Sequence, residues 1–126
     1  MTQTTPPAAT TSSLRTLRGM TLAMSVLAVL QAVLGFMLAA GVDGIRDVHG
    51  WSGYALFIVS IVAAVFAWKY SRENAHKGVF YHATSIPVMG LLQIGLAEMG
   101  AETIHIVLGV AIAVAVIGLW TMLRRH

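Results

Sequence analysis

Two histidines lie at matching places in two similar stretches of this chain. Each stretch has a glutamine, then a histidine, then a glycine four residues after the histidine: Gln31, His49 and Gly53 in the first, and Gln93, His105 and Gly109 in the second. An imidazole within an apolar helix is costly and usually has a partner. Neutral imidazole is also a common metal ligand. The repeated pair therefore suggests that the two rings share one ligand.

Haem iron fits this pattern best. A porphyrin bound edge-on between helices needs an axial imidazole and space for its flat macrocycle. Glycine one helical turn beyond each histidine would provide that space. Ligation by two histidines suits electron transfer or a structural haem. We therefore expect one b-type haem ligated by His49 and His105, with Gly53 and Gly109 beside it. The alternative is that each histidine caps a hairpin at the water interface and packs on a tryptophan or glycine.

Three further side chains belong to the candidate site, and each has two interpretations. Gln31 and Gln93 either hydrogen-bond across a helix bundle or line the pocket and orient a histidine beside a metal. Arg46 stands three residues before His49, as Glu102 does before His105. Arg46 either pairs with Glu102 or neutralises haem propionates at the surface.

Composition defines the elements that must position these residues. Of the 126 residues, 57% are hydrophobic and 10% are charged, and the mean hydropathy is +0.78. Four apolar stretches run approximately over 20–40, 50–68, 79–99 and 103–123. Each has about the 20 residues that a helix needs to cross a bilayer. The sequence predicts an all-α integral membrane protein, an up-down four-helix bundle.

The basic residues predict the orientation of the helices. Of the eight, all except Arg46 lie before the first stretch, between the second and third, or after the fourth. The positive-inside rule then puts both termini in the cytoplasm of a multi-pass plasma-membrane protein. His49 and His105 would face the outer half of the bilayer. The pI near 9.8 is due to these basic residues, which we expect to set the topology and to contact headgroups of the lipid bilayer. We expect no nucleic-acid partner.

The repeat organises the domain. Residues 1–13 are low in complexity and predict a disordered tail, and residues 14–126 form one transmembrane domain. The unit is a helical hairpin, so helices 1–2 and 3–4 form two parallel repeats. Helices 2 and 4 would lie diagonally across the bundle.

Several kinds of chemistry are excluded or disfavoured. The chain has no cysteine, which excludes thiolate metal sites and c-type haem attachment. Charged residues are absent from the middle of the apolar stretches, which argues against an ion pump. No nucleophile–base set is evident, so whether the chain is an enzyme is uncertain and no catalytic activity of its own is the better expectation. His76 and His82 are expected at the inner interface.

These motifs resemble two groups of proteins. Leu-Gln-x-x-Leu-Gly at 30–35, followed by a histidine that opens the next helix, is similar to a family of small four-helix membrane proteins, mostly actinobacterial, of uncharacterised function. The half-bundle also resembles haem A synthase, which carries axial histidines on its second and fourth helices, where His49 and His105 stand. The resemblance covers most of residues 20–123. Arg46 occupies the position where the synthase would have an acidic residue, so the resemblance extends to haem binding and not to haem oxidation.

Two functional hypotheses follow. The first is a haem protein in electron transfer or haem handling, a small subunit beside a larger respiratory or haem-assembly complex. The second is a structural or assembly subunit without a cofactor, in which the histidines and glutamines serve helix packing. A transporter is a third class. The chain could also associate with further copies of itself as a homo-oligomer.

Overall fold

A computed structural model describes residues 11–126, and that part of the chain contains four helices and no strand. The helices are α1 (Ser12–Ala39), α2 (Arg46–Asn74), α3 (Lys77–Glu98) and α4 (Glu102–Arg124). Each is long and apolar enough to span a membrane. The prediction of four such helices is therefore confirmed. Most of the predicted disordered tail, residues 1–10, lies outside the described residues.

The helices extend beyond the apolar stretches, most of all at the start of α1. The hydroxyl of Thr11 accepts a hydrogen bond from the amide of Leu14 and caps the helix. The hydroxyl of Ser13 donates to Glu73 near the end of α2 at 3.1 Å. Ser12 and Ser13, expected in the tail, therefore form the first turn of α1. Hydropathy identifies the segment that can lie within the lipid bilayer, whereas polar caps and contacts determine where the helix actually begins and ends.

Each helix packs against two others. The contacts join α1 to α2 and α4, and α3 to α2 and α4. Near the beginning of α1, the Nε atom of Arg18 donates to the backbone oxygen of Leu123 near the end of α4. The beginning of α1 therefore lies beside the ends of both α2 and α4.

The fully packed core occupies only one half of the bundle. The most deeply buried apolar side chains belong to the first part of α1, the second part of α2, the beginning of α3 and the second part of α4, and include Leu17, Met24, Ala63, Val79, Ile86, Val116 and Leu119. The other half consists of 30–39 of α1, 46–55 of α2, 90–98 of α3 and 102–111 of α4, and we call it the histidine end. Among the described residues of the histidine end, only Leu34 is classed as buried.

The connections between the helices differ in length. Residues 40–45 join α1 to α2, whereas residues 99–101 join α3 to α4. Gly41, Gly44 and Gly100 have positive φ angles in these two turns, which glycine adopts without steric cost. The turn between α2 and α3 contains Ala75 at φ 58°, ψ 23°, a left-handed conformation that is unfavourable for a residue with a Cβ atom.

Candidate functional site

The structure brings the two predicted histidines together. His49 lies in the first turn of α2 and His105 in the first turn of α4, two helices with no backbone contact between them. The centroids of the two rings are 6.2 Å apart, and the ring planes make an angle of 70°. Both side chains are partly buried. The two rings therefore bridge the bundle at the histidine end.

Gln93 and His105 are joined by two hydrogen bonds. The Nε2 atom of Gln93 donates to the backbone oxygen of His105 at 2.8 Å. In the opposite direction, Nδ1 of His105 lies 3.1 Å from the backbone oxygen of Gln93. A carbonyl oxygen can only accept, so Nδ1 carries the proton. In the neutral ring, the lone pair on Nε2 of His105 is then free for a metal.

Gln31 and His49 are joined by the bond from the glutamine amide to the histidine carbonyl, but not by the bond from the histidine ring to the glutamine carbonyl. The Nε2 atom of Gln31 donates to the backbone oxygen of His49 at 2.7 Å and to the hydroxyl of Ser52 at 2.6 Å. The Nδ1 atom of His49 is buried and has no hydrogen-bond partner among the described residues. A buried polar atom without a partner costs about 1–3 kcal/mol. The His49 ring is thus the less firmly held of the two.

The glycines one turn beyond the histidines admit the glutamine side chains. A Cβ atom added to Gly53 would lie 3.3 Å from Nε2 of Gln31, and one added to Gly109 would lie 3.0 Å from Nε2 of Gln93. The carboxamides therefore occupy the space beside both glycines, which the sequence had suggested for a macrocycle. The absence of a Cβ lets each amide reach the carbonyl of the histidine.

Space for a larger group is found elsewhere at the histidine end. An apolar groove of about 450 Å³ runs between α3 and α4 and is lined by Leu92, Leu96, Ile104, Val107, Leu108 and Ala111. Two of its residues, Leu92 and Ile104, directly precede Gln93 and His105 in the chain. The groove is thus an apolar surface on α3 and α4, within the size range of small-molecule sites, and neither histidine lines it. Arg46, predicted either to pair with Glu102 or to neutralise propionates, is exposed at the first position of α2, and Glu102 is exposed at the first position of α4.

Two residues of the site were not assigned from the sequence. Ser52 accepts a hydrogen bond from Gln31, and its position three residues after His49, on the same helix face, was the available signal. Gly35 lies against the His49 ring, since a Cβ atom there would be 3.4 Å from Cε1 of His49. Gly35 stands four residues after Gln31, whereas Gly95 stands two residues after Gln93 and has no such neighbour.

The remaining histidines lie at the opposite half of the bundle. The Nε2 atom of His82 is 2.7 Å from the backbone oxygen of Ala115, and its ring packs on Gly118. His82 therefore joins α3 to α4, and is more than the interfacial residue expected. His76 stacks on Tyr70, and the ring centroids of His76 and His126 are 4.2 Å apart.

The donor set of the site is two imidazoles. Within residues 11–126, no group of three or more His, Cys, Asp or Glu side chains is arranged to hold a metal ion. Two axial nitrogens satisfy a haem, whose porphyrin supplies the other four donors, but leave most of the coordination sphere of a bare ion to water. The chain matches no protein-family model, no curated protein and no solved structure.

Proposed function

We propose that this chain binds one b-type haem at the histidine end, with His49 and His105 as its two axial ligands. The observation that carries the proposal is the separation of the rings. A metal–nitrogen bond of about 2 Å puts the centre of a ligating imidazole about 3 Å from the metal, so two opposed rings have centroids about 6 Å apart. The separation of the His49 and His105 centroids is 6.2 Å.

Three further features support the proposal. Few side chains of the histidine end are buried, and Leu34 is the one among the described residues. The groove between α3 and α4 at this end is apolar, as the faces of a porphyrin are. The proton of His105 is fixed on Nδ1 by a backbone carbonyl, the outer hydrogen bond that commonly orients a metal-ligating histidine.

The other residues of the site act through the histidines or at the surface. Gln31 and Gln93 fix the backbone at each histidine, and Gly53 and Gly109 admit their carboxamides. Exposed Arg46 is available to a propionate. A bound haem would supply reversible one-electron chemistry. The role we propose is electron transfer or haem handling beside a larger respiratory or haem-assembly complex.

The membrane arrangement belongs to the same proposal. We propose an up-down bundle of two parallel hairpins in the plasma membrane, with both termini cytoplasmic and the histidine end facing outwards. The contacts of α1 with the far ends of α2 and α4 support alternating directions. The repeated bond from a glutamine amide to a histidine carbonyl supports two equivalent hairpins. The distribution of basic residues supports the orientation.

A second candidate function is a structural or assembly subunit without a cofactor. Its specific support is that the carboxamides of Gln31 and Gln93 occupy the space beside Gly53 and Gly109. On this alternative, the same hydrogen bonds serve only to lock each hairpin, and the histidine end packs against a partner protein in the membrane.

Spectroscopy of the purified protein separates the two candidates. After expression with haem supplied, a detergent-purified haem protein shows a Soret band and an α-band in reduced-minus-oxidised spectra. We expect the six-coordinate low-spin spectrum to be lost in both His49→Ala and His105→Ala and kept in His76→Ala, the matched control at the other half of the bundle. A colourless wild-type protein from haem-replete cells contradicts haem binding. So does a spectrum that neither substitution changes.

A further inference from the structure

The two histidines of the pair are held differently. His105 donates its Nδ1 proton to the backbone oxygen of Gln93 at 3.1 Å. The corresponding atom of His49 is buried and has no hydrogen-bond partner among the described residues. The approximate symmetry of the hairpins therefore does not extend to the ring nitrogens.

The difference arises on α1. The carboxamide of Gln31 donates both to the backbone oxygen of His49 and to the hydroxyl of Ser52. Ser52 stands three residues after His49, and the residue three after His105 is Leu108, which has no hydroxyl. A Cβ atom at Gly35 would lie 3.4 Å from Cε1 of His49, whereas α3 has Ala97 at the corresponding distance from Gln93. The absence of a side chain at Gly35 thus leaves room for the His49 ring, whose Nδ1 has no hydrogen-bond partner among the described residues.

A hydrogen bond to the outer nitrogen strengthens a histidine ligand. It fixes the tautomer, orients the ring and raises the basicity of the ligating nitrogen, and loss of such a partner typically costs about 10–100-fold in metal affinity. His105 is therefore the firm ligand of the pair and His49 the weak one.

We propose that His49 is an exchangeable ligand and that a small neutral diatomic molecule takes its place on the ferrous haem, opposite His105. This inference rests on the haem site proposed above. In the exchange the bond from His49 to iron breaks and its electron pair stays on the ring, while a lone pair of the diatomic molecule forms the new bond. No electron is transferred, and an external reductant sets the ferrous state beforehand.

Carbon monoxide is the probe for the exchange. The haem-loaded full chain in detergent is reduced with dithionite and mixed rapidly with CO at increasing concentrations. In the wild type the binding rate should level off, because departure of His49 becomes limiting. In His49→Ala the haem should remain, five-coordinate, and bind CO at a rate that stays proportional to CO and is at least about 10-fold faster at the highest concentration. His105→Ala should lose its haem, and His76→Ala should match the wild type.

The possible results separate the exchange from the haem site itself. A wild-type haem protein whose ferrous spectrum does not change under saturating CO, so that both histidines remain bound, overturns the exchange but leaves haem binding intact. Retention of haem by His105→Ala together with its loss from His49→Ala reverses the assignment and also overturns it. A colourless wild type overturns both proposals. If His49→Ala does not fold, the concentration dependence of the wild-type rate still decides.

Discussion

The Nε2 atom of Gln93 lies 2.8 Å from the backbone oxygen of His105, and Nδ1 of His105 lies 3.1 Å from the backbone oxygen of Gln93. Each residue thus donates from its side chain to the main chain of the other. This reciprocal pair ties the end of α3 to the beginning of α4 and fixes both the position and the tautomer of the histidine. Between α1 and α2, Gln31 and His49 share only the first of these bonds.

Removing either glutamine amide should destabilise its hairpin by a small, measurable amount. A hydrogen bond between helices in lipid contributes about 0.6 kcal/mol on average, so we expect about 1 kcal/mol for Gln31→Ala, which loses two bonds, and about 0.6 kcal/mol for Gln93→Ala. Unfolding by SDS in mixed micelles measures both. Ser25→Ala is the control, because Ser25 bonds only to the backbone of its own helix. An equal loss in all three variants would show that the bonds between helices are not special.

Alanine should be tolerated at one glycine of α3 and less so at one glycine of α4. A Cβ atom at Gly95 meets open space, whereas one at Gly109 approaches Nε2 of Gln93 to 3.0 Å. Both substitutions gain helix propensity, but Gly109→Ala must displace the amide from His105. We therefore expect Gly95→Ala to be the more stable variant by about 1 kcal/mol. The same micelle titration measures the difference, and equal stabilities would argue against the close approach.

His82 should stabilise the protein without contributing to the proposed haem site. Its ring donates to the backbone oxygen of Ala115 and packs on Gly118, at the half of the bundle opposite the histidine end. We expect His82→Ala to lower the free energy of unfolding by about 1 kcal/mol, the usual net value of one hydrogen bond. The absorption spectrum of the haem-loaded protein should be unchanged. A spectral change in His82→Ala, but not in His76→Ala, would instead indicate a second haem ligand.

Glycine at position 75 should stabilise the turn between α2 and α3. Ala75 has φ 58° and ψ 23°, and the left-handed conformation costs a residue with a Cβ atom about 1–2 kcal/mol. Ala75→Gly should therefore raise the free energy of unfolding by about 1 kcal/mol. Ala40→Gly is the matched control, since Ala40 also ends a helix but has φ −81°. Gains of similar size in both variants would contradict a local conformational cause.

The absence of cysteine makes the membrane orientation directly testable. Single cysteines can be introduced without background at Asp43, between α1 and α2, and at Lys77, at the start of α3. An impermeant maleimide added to intact cells should label Asp43→Cys at once and Lys77→Cys only after the cells are opened. The opposite pattern would invert the topology that the basic residues predict.

The sequence predicted the helices better than their ends. Four apolar stretches indicated four helices able to span a membrane, which the structure has. The start of α1 at Ser12 was missed because it depends on Thr11 as a cap and on a contact between Ser13 and Glu73, 60 residues apart in sequence. Such long-range contacts leave no periodic signal in hydropathy.

The candidate site was predicted as a set of residues but not as a set of bonds. The glutamine–histidine–glycine order identified the side chains that meet. Which atom bonds to which depends on the relative positions of the helices, and the spacing of residues in the sequence does not give these positions. The amide of Gln31, for example, also donates to Ser52, whereas Leu108 stands at the corresponding place after His105.

Several polar contacts between helices end on main-chain oxygen atoms. Arg18 donates to Leu123, Gln31 to His49, His82 to Ala115 and Gln93 to His105, in each case to the backbone carbonyl. A carbonyl acceptor is present whatever side chain the residue carries. In these four contacts only the donor has to be a particular side chain, and Leu123 or Ala115 can be exchanged for another residue of similar size in a redesigned bundle without loss of the contact.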